Sequence, residues 1–319
     1  MLVVREILCA TDVERPARAG LRYSYFLADR FQCSLHVVHA WQEPTATAGS
    51  HLSGAERMQN VHAAHRLRER LDEVVRAVPT GSSGRATTYV VDGELTAAVL
   101  ASAERQRVDL IVLGSGARED AGARAAGSVA ECLTRQAACP VLTVPARAFG
   151  RAPLVKRILL VLPTAPTVGL TVEWTALWAR QFGASVQLLY REGTEPSSVG
   201  NAALCRHEVE DKLRRSGVGV DAIFVEPGAG IAARVIHVAE SARCDLVVMS
   251  AVLRDAEGQS VLGGLRAAGV LPVLSVRDSA PERPFVDNVI EGDFATSFVR
   301  QEAQAQDTRS RAWIAECER

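Results

Sequence analysis

Two stretches hold residues whose types and spacing could do chemistry. Asp12 follows the apolar run EILCAT (6–11), and the glycine-rich stretch GSGAREDAGARAAGSVAECL (114–133) follows the apolar run DLIVL (109–113). Gly114 has no Cβ, so it lets backbone come close to a ligand beyond a strand end. Gly127, Ser128 and Val129 open the helical segment that comes next. The free N–H groups and positive dipole end of a helix start suit phosphate, and the Ser128 hydroxyl adds a donor. The same residues equally suit a plain corner, with Gly127 as a turn residue and Ser128 as an N-cap. Other reactive patterns are missing. Neither lysine, Lys156 nor Lys212, sits in a phosphate-binding G-x-x-x-x-G-K-[ST] loop, and there is no G-x-S-x-G elbow or H-E-x-x-H pair. No general acid, general base or catalytic lysine can be named, and the seven cysteines show no metal-ligand spacing. His36 and His39 read as satisfied histidines of a strand. His62 and His65, among arginines and the acids Glu69, Asp72 and Glu73, read as a solvated helix face.

These residues need elements to position them. The runs EILCAT, SLHVVHA, ATTYVV, DLIVLG and PVLTVP are short and continuously apolar, as buried parallel strands are. Amphipathic stretches separate them, among them one in which Val61, Leu67, Leu71, Val74 and Val78 share a helix face. Strand–helix alternation of this kind predicts a doubly wound parallel sheet, with ligands outside the carboxyl ends of the strands at the topological switch point. If the first and fourth strands are neighbours, Asp12 and Gly114 share one rim.

The chain then repeats itself. REILCATD (5–12) matches KRILLVLP (156–163) at an offset of 151, which holds without a gap through LADRFQCSLHVVHA (27–40) and WARQFGASVQLLYR (178–191). The offset falls to 136 for the segment ending DLIVLGS (109–115) and to 132 for SVAECLTRQAACPVLTV (128–144) against SVLGGLRAAGVLPVLSV (260–276). A duplication with local deletions accounts for this pattern. It gives a domain at 1–147, a second at 154–277 and a tail at 278–319, which opens DSAPERP in linker composition.

Composition narrows the class. A net charge of −1 gives no general reason to expect nucleic acid or an anionic membrane as partner. No apolar run approaches the ~20 residues of a membrane span. The start MLVVREILCATD reads as a strand, not a signal peptide, and the odd, scattered cysteines read as reduced thiols of a cytoplasmic protein.

Both halves resemble universal stress protein domains. The features are ILCATD, LHVVHAW and DLIVLGS as first, second and fourth strands, then a long loop and GSVAECLTRQAACPVLTV. The resemblance implies two tandem five-stranded parallel-sheet domains of the adenine-nucleotide α-hydrolase-like group. Nucleotide-binding members carry a loop of Gly, two residues, Gly, nine residues, then Gly and Ser or Thr. Gly114 and Gly127-Ser128 stand at that separation, with Ser115 beside the first, but Ala117 replaces the middle glycine. By position, Asp12 and Ala40 would line the adenosine, with Thr11 beside the former. The resemblance thus implies ATP or a related adenine nucleotide in the N-terminal domain only, with Mg²⁺ as its companion ion and at most slow hydrolysis. In the second half Pro163, Arg191, Ser250 and Gln259 replace Asp12, Ala40, Gly114 and Gly127, and the loop is shorter. That half reads as a fold kept for packing. Family domains associate about a twofold axis, so a tandem chain would form that dimer internally, with PVLTV and PVLSV near the axis; a further homo-oligomer is compatible with this. Two rival readings stand beside this one: a stress protein acting through protein contacts without nucleotide, and a nucleotide hydrolase.

Overall fold

The computed structural model describes residues 2–11, 17–41, 54–78, 86–115, 129–150, 152–162, 169–191, 207–225, 231–254 and 260–278. In the first half β1 (Glu6–Ala10), α1 (Ala17–Phe31), β2 (Ser34–Trp41), α2 (Gly54–Arg76), β3 (Ala86–Asp92), α3 (Leu95–Arg105), β4 (Leu110–Ser115), α4 (Val129–Gln136) and β5 (Val141–Pro145) alternate. A 3₁₀ turn (Ala146–Gly150) leads into the second half. There β6 (Arg157–Leu162), α5 (Gly169–Phe182), β7 (Ser185–Arg191), α6 (residues 207–215), β8 (Val220–Val225), α7 (Ile231–Ser241), β9 (Leu246–Ser250), α8 (Val261–Ala268) and β10 (Val273–Val276) follow. Pro140 and Pro272 directly precede β5 and β10, where the missing N–H costs no ladder bond.

All ten strands lie in one sheet, ordered β3-β2-β1-β4-β5-β10-β9-β6-β7-β8. Within each half every pairing is parallel, as the apolar runs predict; the join of β5 to β10 is antiparallel. The sheet is therefore continuous across the two halves rather than divided between them. At the join Leu142 faces Leu274, Val141 faces Ser275 and Thr143 faces Val273. These are the positions related by the 132 offset, so the pairing is reciprocal.

Side-chain alternation sends Ile7 and Cys9 to the layer of α1 and α2, and Leu8 and Ala10 to that of α3 and α4. On the α1 face one core runs through both halves and also takes in α5 and α6. On the other face each half has its own core. Aromatic rings knit the shared core: Phe26 stacks on Phe182 at 5.5 Å, Phe31 meets Phe182 edge-on at 5.8 Å, and Trp178 lies 5.5 Å from Phe182. Such pairs add about 0.5–1.5 kcal/mol each beyond burial. Phe31 and Phe182 are counterparts under the 151 offset, and so are Arg30 and Gln181. The last two exchange bonds: Arg30 Nε donates to the Gln181 carbonyl at 3.1 Å, and Gln181 Nε2 donates to the Arg30 carbonyl.

Two acids staple the amino ends of the strands. Asp109 Oδ2 accepts the Arg5 and Glu6 N–H groups at 2.7 and 3.0 Å. Asp245 Oδ2 accepts those of Lys156 and Arg157, also at 2.7 and 3.0 Å. Each clamp ties the turn before the fourth strand of its half to the start of the first.

At the opposite end of the first half α1 lies unusually close to β4. A Cβ built on Gly20 would stand 2.5 Å from the Gly114 nitrogen and 2.9 Å from its Cα. Both atoms are backbone, so no rotamer change relieves the contact.

Two outcomes follow from this packing. Asp109→Ala and Asp245→Ala should each cost about 1–2 kcal/mol, since each removes a charged acceptor from two N–H groups. The clamps share no partner, so the losses should add in urea unfolding; a double variant no weaker than the singles would show that the clamps do not act separately. For Gly20→Ala, helix propensity favours alanine by about 1 kcal/mol, but overpacking against backbone costs ~1–3 kcal/mol. The variant should be less stable, with hydrogen-exchange protection lost around Leu113–Ser115; a stabilised variant would mean α1 can lift off β4 freely.

Candidate functional site

The strand order puts the switch point of the first half between β1 and β4: from β1 the chain moves outward through β2 to β3, then returns to the other side of β1. The β1–β4 register ends with Ala10 opposite Leu113, which sets the next residues, Thr11 and Gly114, side by side. Thr11 is buried. Its N–H donates to the Val38 carbonyl at 2.9 Å, so β1 stays tied to β2 one residue past its end. Its carbonyl accepts from His39 Nδ1 at 2.8 Å, which requires the proton on that nitrogen. Backbone and imidazole together thus fix the point from which the chain leaves toward Asp12.

Ala40 lies on β2, half-buried and paired with Val91 of β3. Gly114 and Ser115 end β4 opposite Val144 and Pro145 of β5. Val129 opens α4, packed half-buried against the core on the α3 face. Thr11, Ala40, Gly114 and Ser115 therefore share the carboxyl rim of three adjacent strands, and Val129 begins the helix that follows β4. Asp12, Ala117, Gly127 and Ser128 lie outside the described residues.

Gly114 also has a packing role that the sequence reading did not give it, since α1 approaches it through Gly20. Gly20 carried a signal: a lone glycine inside an amphipathic helical run often marks a close approach. His39 was read only as a satisfied histidine. That holds, but its partner is the rim carbonyl of Thr11, and strand alternation gives a side chain's face without naming its partner.

The second half closes its own rim. Ser250, the counterpart of Gly114, is buried, and its carbonyl accepts the Leu253 N–H at 3.1 Å. This turn drops Leu253 into the core at 6% exposure. The Leu253 carbonyl then takes the Val261 N–H at 3.3 Å, and Ser260 Oγ, the counterpart of the Ser128 hydroxyl, caps α8 by accepting from Gly263 at 3.3 Å. The Val261 and Gly263 donors at this helix start are thus spent on the protein itself. The start of α5 is likewise occupied: Asp278 accepts from the Thr171 N–H at 2.9 Å and from its hydroxyl at 2.7 Å, where a carboxylate also suits the helix dipole. Thr171 is the counterpart of Gly20. Pro163 and Gln259 lie outside the described residues, and of Arg191 only the backbone is described.

Other reactive groups are quiet. His36 Nε2 meets Glu6 Oε2 at 2.8 Å, at the amino end of the sheet, away from the rim. His65 pairs loosely with Glu69 at 3.4 Å on an exposed face. Burial pushes the Cys9, Cys33 and Cys139 thiols up to about 12 and Cys244 up to about 11, so none of these is a thiolate at neutral pH. Among the described residues no group of three or more His, Cys, Asp or Glu could hold a metal ion, and no helix is long and apolar enough to cross a membrane.

Residues 4–145 match the family model of the universal stress protein family. No curated protein matches the chain. Among solved structures, a universal stress protein from Archaeoglobus fulgidus is similar over 86% of this chain and 98% of its own, with 13% identity and a TM-score of 0.64. A functionally unknown protein from Pseudomonas aeruginosa PAO1 is similar over 86% and 92%, with 16% identity and a TM-score of 0.53. At these identities the likeness is one of fold. The N-terminal half of the chain, residues 4–145, thus belongs to the universal stress protein family, and the ten-stranded sheet as a whole has the fold of such proteins.

Proposed function

We propose that the protein is a tandem universal stress protein, a regulatory module that binds one adenine nucleotide, ATP foremost, at the carboxyl rim of its first half. The observation that carries this reading is the difference between the two rims. In the first half the ends of β1, β2 and β4 present Thr11, Ala40 and Gly114, and Gly114 and Gly127-Ser128 keep the outer spacing of a phosphate loop, with Ala117 in place of its middle glycine. In the second half the matching helix start is capped by Ser260 and its turn is plugged by Leu253.

The residues present fit the ligand in kind. Gly127, Ser128 and the N–H groups at the start of α4 would hold the phosphates, with Mg²⁺ as their counter-ion. Asp12 would take a ribose hydroxyl, and Ala40 would leave room for the base beside β2. The chain's own part is to bind and orient: His39 holds the Thr11 carbonyl, and with it the exit of β1, in one position. Regulation rather than turnover fits a rim on which no general base stands among the described residues. The two halves act as an internal pseudo-dimer in this reading, supported by the reciprocal contacts of Leu142 with Leu274 and of Arg30 with Gln181.

Calorimetric titration of the full chain should give one ATP site per chain. Gly127→Val should abolish it while costing about 1–2 kcal/mol of stability, because a β-branched side chain fills the space of a phosphate oxygen. Gln259→Val in the second half should leave binding unchanged. Two equivalent sites, or parental affinity in Gly127→Val, would contradict the assignment; no ATP binding at all would favour a protein that works through contacts alone.

A further inference from the structure

We propose that the seam between α4 and α8 makes the pairing of the two halves selective: each half fits the other and not a second copy of itself. The selectivity resides in the surface between the halves and does not depend on what the rim binds.

β5 and β10 are antiparallel, and each crossover helix runs opposite to the strand that follows it, so α4 and α8 are antiparallel too. They meet at Glu131 and Gly263, where a Cβ built on Gly263 would stand 2.6 Å from Glu131 Oε1. These two residues are counterparts under the 132 offset, as are Leu142 and Leu274 in the join of the sheet. The pseudo-axis therefore passes here, and at such an axis a residue meets its own counterpart. Two first halves paired in this way would set Glu131 against Glu131. Two second halves would set Gly263 against Gly263, with no side chain to fill the place.

Elsewhere the axis does not discriminate. Leu142 with Leu274 and Phe31 with Phe182 are like residues and would serve a like pair equally well. The choice falls to the α4–α8 seam. Glu131 is half-buried, so a second carboxylate against it would be poorly screened, and juxtaposed like charges suppress wrong partners. Size alone does not forbid a side chain at 263, because Glu131 Oε1 is the far end of a flexible chain and can swing aside. The second half supplies the opposite charge. Arg266 is half-buried one turn beyond Gly263, and its Nε is buried without a hydrogen-bond partner among the described residues. Helical spacing sets it between Leu262, in the core, and Gly263, at α4. Its counterpart on α4 is Thr134, buried and uncharged. Arg135, next on α4, is exposed and turned to Cys132 Sγ at 3.6 Å. The acid at the axis thus comes from one half and the half-buried cation from the other, and only the mixed pair brings both to one seam.

The test is urea unfolding of full-chain variants at low salt, read as the ratio of folded to unfolded protein. Gly263→Glu gives the second half the first half's own residue, and so imitates a like pair within one chain. It should lower that ratio about fivefold below Gly263→Gln, which adds the same bulk without charge. Glu131→Gln combined with Gly263→Glu moves the lone carboxylate across the axis, and should match Gly263→Gln within about twofold. If the Gly263 variants do not fold, Arg266→Glu against Arg266→Gln puts the same question one turn along α8, with Glu131→Gln as the rescue. Equal stability of the Glu and Gln variants, at 263 or in that case at 266, would overturn the proposal. So would a Glu penalty that persists once Glu131→Gln is added.

Discussion

The pairing of β5 with β10 is the constraint on which the rest of the structure depends. A five-stranded parallel half ends in an open edge at its last strand, a row of unpaired N–H and C=O groups that must be covered or matched. Here each half covers the other, antiparallel, with Leu142 opposite Leu274. An antiparallel join turns the second half around, so the two carboxyl rims point to opposite ends of the sheet. Whatever happens at one rim is then physically separate from the other, and the two could diverge without cost to the shared core. That core, with Phe31 against Phe182, lies on the α1 and α5 side.

The divergence has a simple physical form. A helix start offers N–H groups that must find acceptors, either in a ligand or in the protein. In the second half the protein supplies them through the Leu253 carbonyl and the Ser260 hydroxyl at α8, and through Asp278 at α5. The shortened loop goes with this closure: the turn just after β9 drops Leu253 into the core, and Arg254 bridges to Ser260 at the start of α8. In the first half the connection between Ser115 and Val129 is longer, and the proposed function gives its helix start an acceptor from outside.

Much of the architecture was legible in the sequence because it rests on periodicity and repetition. Continuous apolar runs gave buried parallel strands, and the offsets paired Arg5 and Glu6 with Lys156 and Arg157, and Asp109 with Asp245, as residues with identical roles. Equivalence does not reveal contact. Nothing in the matching of Phe31 with Phe182 says that the two rings touch, since that depends on where the pseudo-axis passes. The apolar runs did not show the single continuous sheet either; only the resemblance put PVLTV and PVLSV near one axis. At the rim, strand order placed Gly114 beside the end of β1 and the resemblance added Thr11 and Ala40, whereas the His39 bond to Thr11 and the approach of Gly20 to Gly114 depend on helix and strand packing that alternation does not encode. The stretch AVLRDAEGQ reads only as a shortened loop, and the plugging role of Leu253 comes from the turn that Ser250 closes.

The central claim is that one rim is kept for an external nucleotide while the other is closed by the chain itself. Hydrogen exchange of the full chain with and without ATP and Mg²⁺ tests it most directly. The account predicts added protection at the end of β1, the end of β4 and the start of α4, with residues 250–263 unchanged. Protection that rises equally around residues 250–263, or stays flat at Thr11, Gly114 and Val129 under saturating ATP, would contradict it.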